Sequence, residues 1–135
     1  MKLILDTNTV LSAVFKPTNK QAQILSLWRS GGFDWVTCTQ QLLEISDVLS
    51  RPKIIQRIVG GSATAQDLVA QMYAGCVMQA LMPPFPSLCR DAKDDYLLAL
   101  LQQSKANFLI TGDNDLLVLN HQFSIFTTTQ FLDRL

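Results

Sequence analysis

The chain has 135 residues, of which 48% are hydrophobic and 16% are charged, and this length fits a single domain with one substantial core. Its eleven basic and eleven acidic side chains cancel and the sequence pI is near 6.5, so it lacks the strongly basic character of many nucleic-acid-binding proteins. No apolar run approaches the roughly 18 residues of a membrane span, and the N-terminal run is too short for a signal peptide, so we expect a soluble, cytoplasmic protein.

The first half of the chain alternates short apolar runs with segments in which apolar side chains recur at helical spacing. Gly31-Gly32 marks a helix end, and Pro52 suits a helix start. In chain order, the sequence predicts a strand at Leu3–Leu5, helices at Thr7–Phe15 and Gln21–Ser30, a strand at Trp35–Thr37, and helices at Gln40–Leu49, from Pro52 to about Val59, and at Ala63–Ala74.

The second half of the chain continues the same alternation without a repeat or a linker that would divide domains. It predicts a strand at Val77–Met82, where the following prolines stop any helix, a buried helix at Asp94–Gln103, strands at Asn107–Thr111 and Ser124–Thr127, and a terminal helical turn at Thr129–Leu135. Short apolar strands that alternate with helices indicate βαβ units, so we expect one α/β domain over residues 1–135 with a mostly parallel sheet.

Two acidic residues lie at the ends of predicted strands or within two residues of them. Asp6 ends the first apolar run, and Asp113 comes two residues after the strand at Asn107–Thr111. A carboxylate beside a core costs several kcal/mol unless a hydrogen bond or a cation compensates it. Ligands of parallel α/β folds bind beyond the carboxyl ends of the strands, so these two acids are candidates for one site.

Further acids crowd into one quarter of the chain, and the only glutamate lies on a predicted helix. These residues are Asp91, Asp94, Asp95, Asp115 and Glu44. Carboxylates that converge on a crevice repel one another unless a cation neutralises them, and hard ions such as Mg²⁺ prefer oxygen ligands. Structural roles compete with this interpretation: caps and first-turn charges for the aspartates, and a solvated helix position for the glutamate.

Other kinds of chemistry have little support in the sequence. His121 is the sole histidine, so a zinc cluster or a Ser-His-Asp triad is not favoured, and no phosphate-binding glycine motif occurs. The three cysteines have no CxxC spacing, and we expect free thiols. The Arg51–Arg57 segment and the Arg90 and Lys93 pair are basic enough to contact phosphates, although a solvated face is the simpler interpretation.

Five sequence blocks occur in a characteristic order: LILDTN, TQQLLEI, CRDAKDDYLLAL, NFLITGDNDLL and IFTTTQFL. Together they resemble the PIN-domain family over essentially the whole chain, and they are most similar to the VapC-like ribonuclease toxins of bacterial and archaeal toxin–antitoxin pairs. The resemblance implies a three-layer α/β/α sandwich with a central, mostly parallel sheet. It also implies an endoribonuclease that hydrolyses RNA phosphodiester bonds with Mg²⁺ or Mn²⁺.

The resemblance also assigns roles to individual residues. It implies that four acids hold the metal and are catalytic: Asp6, Glu44, Asp95 and Asp113. It implies supporting or substrate-binding roles for Asn8, Thr111, Asp94 and Asp115. Its implied partners are a second copy of the chain and a small antitoxin protein. One small core does not need all of the apolar surface of Trp28, Phe33, Trp35 and the MPPFP segment, which favours the homodimer.

Two other interpretations stay open at this point. LILDTNTV and TGDND also resemble motifs of haloacid-dehalogenase-type phosphatases, but Asn8 stands where the general acid of that family should be, and Lys105 lies just before the strand rather than well upstream. A non-catalytic PIN-like module, whose acids bind a structural cation or a partner, is the second alternative.

Overall fold

Five parallel strands form the central sheet of the protein in a computed structural model that describes all residues from 1 to 135. The strands are β1 (Lys2–Leu5), β2 (Asp34–Thr37), β3 (Val77–Met78), β4 (Phe108–Ile110) and β5 (Ile125–Phe126). Their order across the sheet is β3-β2-β1-β4-β5, and every neighbouring pair is parallel. The prediction of an α/β fold with a mostly parallel sheet is therefore confirmed, and β1 lies at its centre.

Eight α-helices connect and cover the strands. They are α1 (Thr7–Phe15), α2 (Lys20–Arg29), α3 (Thr39–Val48), α4 (Pro52–Ile55), α5 (Gly61–Gly75), α6 (Asp95–Ser104), α7 (Asn114–Leu117) and α8 (Thr128–Leu132). Sequence periodicity does not predict α7, because four residues are too few to show a helical repeat. The strand predicted at Val77–Met82 shortens to β3, since only Val77 and Met78 pair with β2.

The two faces of the sheet carry separate hydrophobic cores. Leu3 and Leu5 point to the face covered by α1, α2, α3, α5 and α8, whereas Ile4 points to the face covered by α6 and α7. This division follows from the two-residue repeat of a strand, which sends successive side chains to opposite faces. The protein is thus a three-layer α/β/α sandwich, as the resemblance implies. None of its helices combines the length and apolar character needed to cross a bilayer.

Helix α6 is buried over nearly its whole circumference, as its sequence predicts. Leu97, Leu98, Leu100 and Leu101 all pack in the core on the α6 side of the sheet. A short 3-10 turn at Ala92–Asp94 leads directly into this helix. The apolar side chains therefore fix the helix against the sheet and set the position of the acids at its start.

The aromatic side chains that the sequence suggests as surplus apolar surface differ in their burial. Phe33 and Trp35 are buried core residues and leave no surface for a dimer interface, whereas Met82 of the MPPFP segment is exposed. Trp28 is partly buried and meets Trp35 edge to face, with ring centroids 4.9 Å apart. The exposed apolar side chains lie elsewhere, and they include Val77 and Met78 on the outer strand β3.

Candidate functional site

Asp6 and Thr111 follow the neighbouring strands β1 and β4 at the carboxyl edge of the sheet. The strand register pairs Leu5 with Ile110, so the next residue of each strand lies beside the other. Thr111 Oγ1 donates a hydrogen bond of 2.7 Å to Asp6 Oδ2, and the Asp6 amide donates one of 3.0 Å to the Ile110 carbonyl. Both side chains are buried. The hydroxyl of Thr111 thus compensates part of the cost of placing an acid beside the core.

Thr111 also connects Asp6 to Asp113. Its Oγ1 accepts a hydrogen bond of 3.0 Å from the Asp113 amide, so one hydroxyl contacts both residues. The Asp113 carboxylate in turn caps α7, because its Oδ1 accepts a bond of 2.9 Å from the Asp115 amide. The interpretation of Asp113 as a cap is therefore confirmed. Capping occupies one carboxylate oxygen and leaves the other available for a ligand.

Burial sets the electrostatic state of Asp6. Loss of hydration raises the pKa of this carboxyl group, the Thr111 hydrogen bond lowers it, and the charge of Asp113 raises it again, with a net increase from the ordinary value. A like charge that raises the pKa of a carboxyl group indicates that the two groups share one environment. Asp6 and Asp113 are such a pair.

Asp94 lies in the field of the same acids. Partial burial, and after it the charges of Asp6, Asp91, Asp113 and Glu44 in that order of importance, together raise its pKa to about 6. The residue ends the 3-10 turn before α6. The charges of Asp6, Asp91, Asp113 and Glu44 thus act on Asp94 from separate parts of the chain, although the carboxylates do not converge on one point.

Asp95 makes its hydrogen bond to the segment that precedes α6. Its carboxylate is buried, and Oδ1 accepts a hydrogen bond of 2.9 Å from the Cys89 amide. Burial and the charges of Asp95, Asp94 and Asp113 raise the pKa of the Cys89 thiol to about 12, so this thiol is protonated at neutral pH and is no thiolate nucleophile. Asp95 anchors the segment before α6, and its predicted role as a metal ligand stays a prediction.

Glu44 reaches the site from α3 and is exposed. Its Oε2 accepts a hydrogen bond of 3.2 Å from the hydroxyl of Tyr96, the second residue of α6. Burial and the charge of Glu44 raise the pKa of Tyr96, so the phenol stays protonated and continues to donate. This bond connects α3, which carries Glu44, with α6, which begins directly after Asp94.

The remaining predicted residues lie around these acids. Asp91 caps the 3-10 turn, because its Oδ1 accepts a bond of 3.0 Å from the Lys93 amide. Arg90 Nη1 lies 3.9 Å from Asp115 Oδ1, and both side chains are accessible to solvent. Asn8 is exposed near the start of α1. A cation at this rim can contact the phosphates of a ligand whose backbone passes the acids.

Comparison with known proteins adds one finding. The sequence profile of the PIN domain family matches residues 2–115, which is most of the chain. The chain belongs to the PIN domain family. No curated protein and no solved structure gives a match. PIN domains are generally nucleases, and Asp6, Glu44, Asp94, Asp95 and Asp113 all lie within the matched residues.

The acids of this PIN domain do not form a ready-made coordination sphere. Nowhere in the structure do three or more Asp, Glu, His or Cys side chains come close enough to hold one metal ion together. Mg²⁺, however, is usually held by one or two carboxylates, while water and substrate phosphate complete its octahedron. The oxygen-only donor set and the mutual repulsion of its acids fit binding of that kind.

The structure shows two residues that support the site of this PIN domain and that the sequence analysis does not identify. Gln41 is fully buried: its Nε2 donates a bond of 2.6 Å to the Leu5 carbonyl, and its Oε1 accepts one of 2.7 Å from Thr37 Oγ1. Tyr96 is the second, through its bond to Glu44. Gln41 stands four residues before the buried Ile45, so helical spacing alone places it on the inner face of α3.

Proposed function

We propose that this PIN domain is a metal-dependent endoribonuclease and the toxin of a toxin–antitoxin pair. The observation that carries the proposal is the connection between Asp6 and Asp113 through Thr111, at the carboxyl edge of the sheet and within the field of Asp94. Carboxylates held together against their mutual repulsion suit a cation site far better than a purely structural role.

The acids divide into two groups in the proposed reaction. Asp6, Glu44, Asp95 and Asp113 would hold one or two Mg²⁺ or Mn²⁺ ions, each ion through one or two carboxylates with water and substrate phosphate, and Asp94 would support them. When bound, such an ion lowers the pKa of water and stabilises charge that develops on a phosphodiester. Thr111 orients Asp6 by engaging only its Oδ2, which leaves Oδ1 for the ion.

Basic residues at the rim would bind the RNA backbone. The protein has no net charge, so local cations must attract the phosphates. Arg90 and Lys93 flank the acids in the sequence, and both side chains are exposed. A substrate phosphate would replace Asp115 as the partner of Arg90, because the Arg90–Asp115 contact is long and accessible to solvent.

A cleavage assay with RNA tests this function. The wild type and the variant Asp34→Asn should cleave RNA with Mg²⁺ or Mn²⁺ and lose the activity in chelator, whereas Asp6→Asn should be inactive. Asp34 is a matched control because it is exposed at the amino end of β2, away from the carboxyl edge of the sheet. Cleavage that persists in chelator, or an active Asp6→Asn variant, would contradict the proposal.

A non-catalytic PIN-like module is the second candidate, favoured by the lack of three converging metal ligands. Such a module would bind Mg²⁺ or a partner and leave RNA intact. A phosphatase would instead hydrolyse small phosphate esters and spare RNA, and membership of the PIN domain family lends that reading no support. RNA cleavage therefore identifies the nuclease, and hydrolysis of small phosphate esters by a protein that spares RNA separates the phosphatase from the binding module.

The proposed assembly is a homodimer that also binds a small antitoxin in the cytoplasm. Exposed apolar side chains such as Tyr73, Val77, Met78 and Met82 give surface for such contacts. The three free cysteines are in keeping with a reducing compartment.

Light scattering should give about twice the 15.1 kDa mass of one chain at micromolar concentration. A mass of one chain would contradict the dimer, and a neighbouring reading frame without a small protein would weaken the antitoxin.

A further inference from the structure

A polar cavity of about 550 Å³ opens beside the acidic site. Its walls come from α1, the start of α2 and the turn before α7, and no hydrophobic residue lines it. The side chains that form these walls are Asn8, Thr9, Ser12, Gln21, Asp113 and Asn114. The volume lies within the range of small-molecule sites, but such sites are mostly apolar, so this lining needs a different kind of ligand.

The walls present hydrogen-bonding groups that the protein itself leaves unused. The side chains of Asn8 and Asn114 line the cavity and are exposed. Gln21 Nε2 makes only a long contact of 3.5 Å with Thr128 Oγ1, and Gln21 Oε1 makes none. Each amide offers both donors and an acceptor to a ligand.

The cavity is preformed, because hydrogen bonds within the protein fix the elements that line it. Asn19 caps α2, because its Oδ1 accepts a bond of 2.8 Å from the Ala22 amide. The same side chain donates through Nδ2 to the Ser12 carbonyl of α1, also at 2.8 Å. These two bonds fix the start of α2 against α1, and so they fix the position of Gln21 opposite Asn8.

The lining selects against a phosphate as the occupant. No lysine or arginine lines the cavity, and its one charged side chain, Asp113, would repel an anion. It also has no aromatic wall on which a base could stack, so recognition must come from hydrogen bonds. Asparagine and glutamine amides read the edges of nucleobases in this way, most directly as a bidentate pair with adenine.

We propose that this cavity holds the nucleoside next to the scissile phosphate and sets the base preference of the enzyme. Asp113 belongs both to the cavity and to the acidic site, and Asn8 lies two residues after Asp6, so a base in the cavity leaves its phosphate at the acids. The inference rests on the proposed ribonuclease function, because it identifies the part of the substrate that this site recognises.

A cleavage experiment measures the preference directly. Oligoribonucleotides that differ in one base beside the cleaved bond are compared by kcat/KM for the wild type, Gln21→Ala and Asn114→Ala. Loss of one amide should reduce the ratio between the best and the poorest base by about fivefold or more, since a bidentate contact gives about 1–3 kcal/mol of discrimination. Gln23→Ala is the matched control, because Gln23 is exposed on the same helix and does not line the cavity. Unchanged ratios in both cavity variants would overturn the inference and leave the ribonuclease function standing.

A binding experiment in chelator is independent of cleavage. The side-chain amide signals of Asn8, Gln21 and Asn114 are followed by NMR during titration with the four uncharged ribonucleosides, and with inorganic phosphate as control. At least one nucleoside should shift these signals while phosphate does not. Absence of any nucleoside shift, or an equal response to phosphate, would overturn the inference. A nucleoside response in a protein that cleaves no RNA would refute the ribonuclease function and keep the cavity as a nucleoside site.

Discussion

The Thr111 hydroxyl joins two strand ends by donating to Asp6 and accepting from the Asp113 amide. Thr111→Val should remove both bonds, leave two buried polar groups without partners and lower the free energy of unfolding by about 1–3 kcal/mol. RNA cleavage should fall as well, because Asp6 loses its orientation. Thr111→Ser keeps the hydroxyl and should retain most of both properties. Urea unfolding of the two variants checks this, and equal midpoints for both would contradict the role of the hydroxyl.

Asp94 gives the metal-free protein a defined dependence on pH. Its pKa rises from the ordinary value of 3.8 to about 6 in the folded protein, so the folded state holds this proton more tightly than the unfolded chain does. The resulting stability is fully present below pH 3.8 and is lost as the pH rises through 6. In chelator, the melting temperature should therefore fall more between pH 4 and 6.5 for the wild type than for Asp94→Asn. Parallel curves for the two proteins would contradict the shared environment of the acids.

At the scale of secondary structure, the start of α6 places two adjacent acids in different environments. Asp95 accepts a bond from the Cys89 amide, whereas Asp94 lies in the field of Asp6 and Asp113. Asp95→Ala should speed hydrogen exchange of the Cys89 amide, because this donor loses its acceptor, while Asp95→Asn should preserve the protection. If the anchor is the whole role of Asp95, the Asn variant keeps RNA cleavage. Loss of cleavage in Asp95→Asn, with the Cys89 amide still protected, would show that its charge acts in the metal site.

Sequence patterns locate some of these elements and miss others for physical reasons. The end of β1 is predictable because a buried apolar run must stop where a polar side chain follows, as at Asp6, whereas the prediction extends β4 by one residue to Thr111. The assignment of Asp94 and Asp95 depends on the residue at which the 3-10 turn becomes α6, since a step of one residue turns a side chain by about 100°. Local patterns do not determine that residue. The short helix α7 is likewise set by one cap, Asp113, rather than by a repeat.

At the scale of the whole molecule, topology brings the site together. Asp6 and Asp113 follow adjacent strands, β1 and β4, but they are more than a hundred residues apart in the chain. The sequence indicates that the two acids lie at the same edge of the sheet only because both follow strands of a parallel sheet. Local sequence patterns do not predict contacts between elements, such as those of Tyr96 with Glu44 and of Gln41 with Leu5. Each of these contacts depends on the packing of two separate segments.

The melting temperature of Asp6→Asn with and without Mg²⁺ tests most directly whether these acids form a cation site. In chelator, the variant should be at least as stable as the wild type, because Asn can still accept from Thr111 while burial and Asp113 disfavour a charge at this position. Added Mg²⁺ should raise the melting temperature of the wild type and of Asp34→Asn, since a ligand of the native state stabilises it, but not that of Asp6→Asn. A variant that melts several degrees lower in chelator and still responds fully to Mg²⁺ would contradict the metal site and make Asp6 a structural acid.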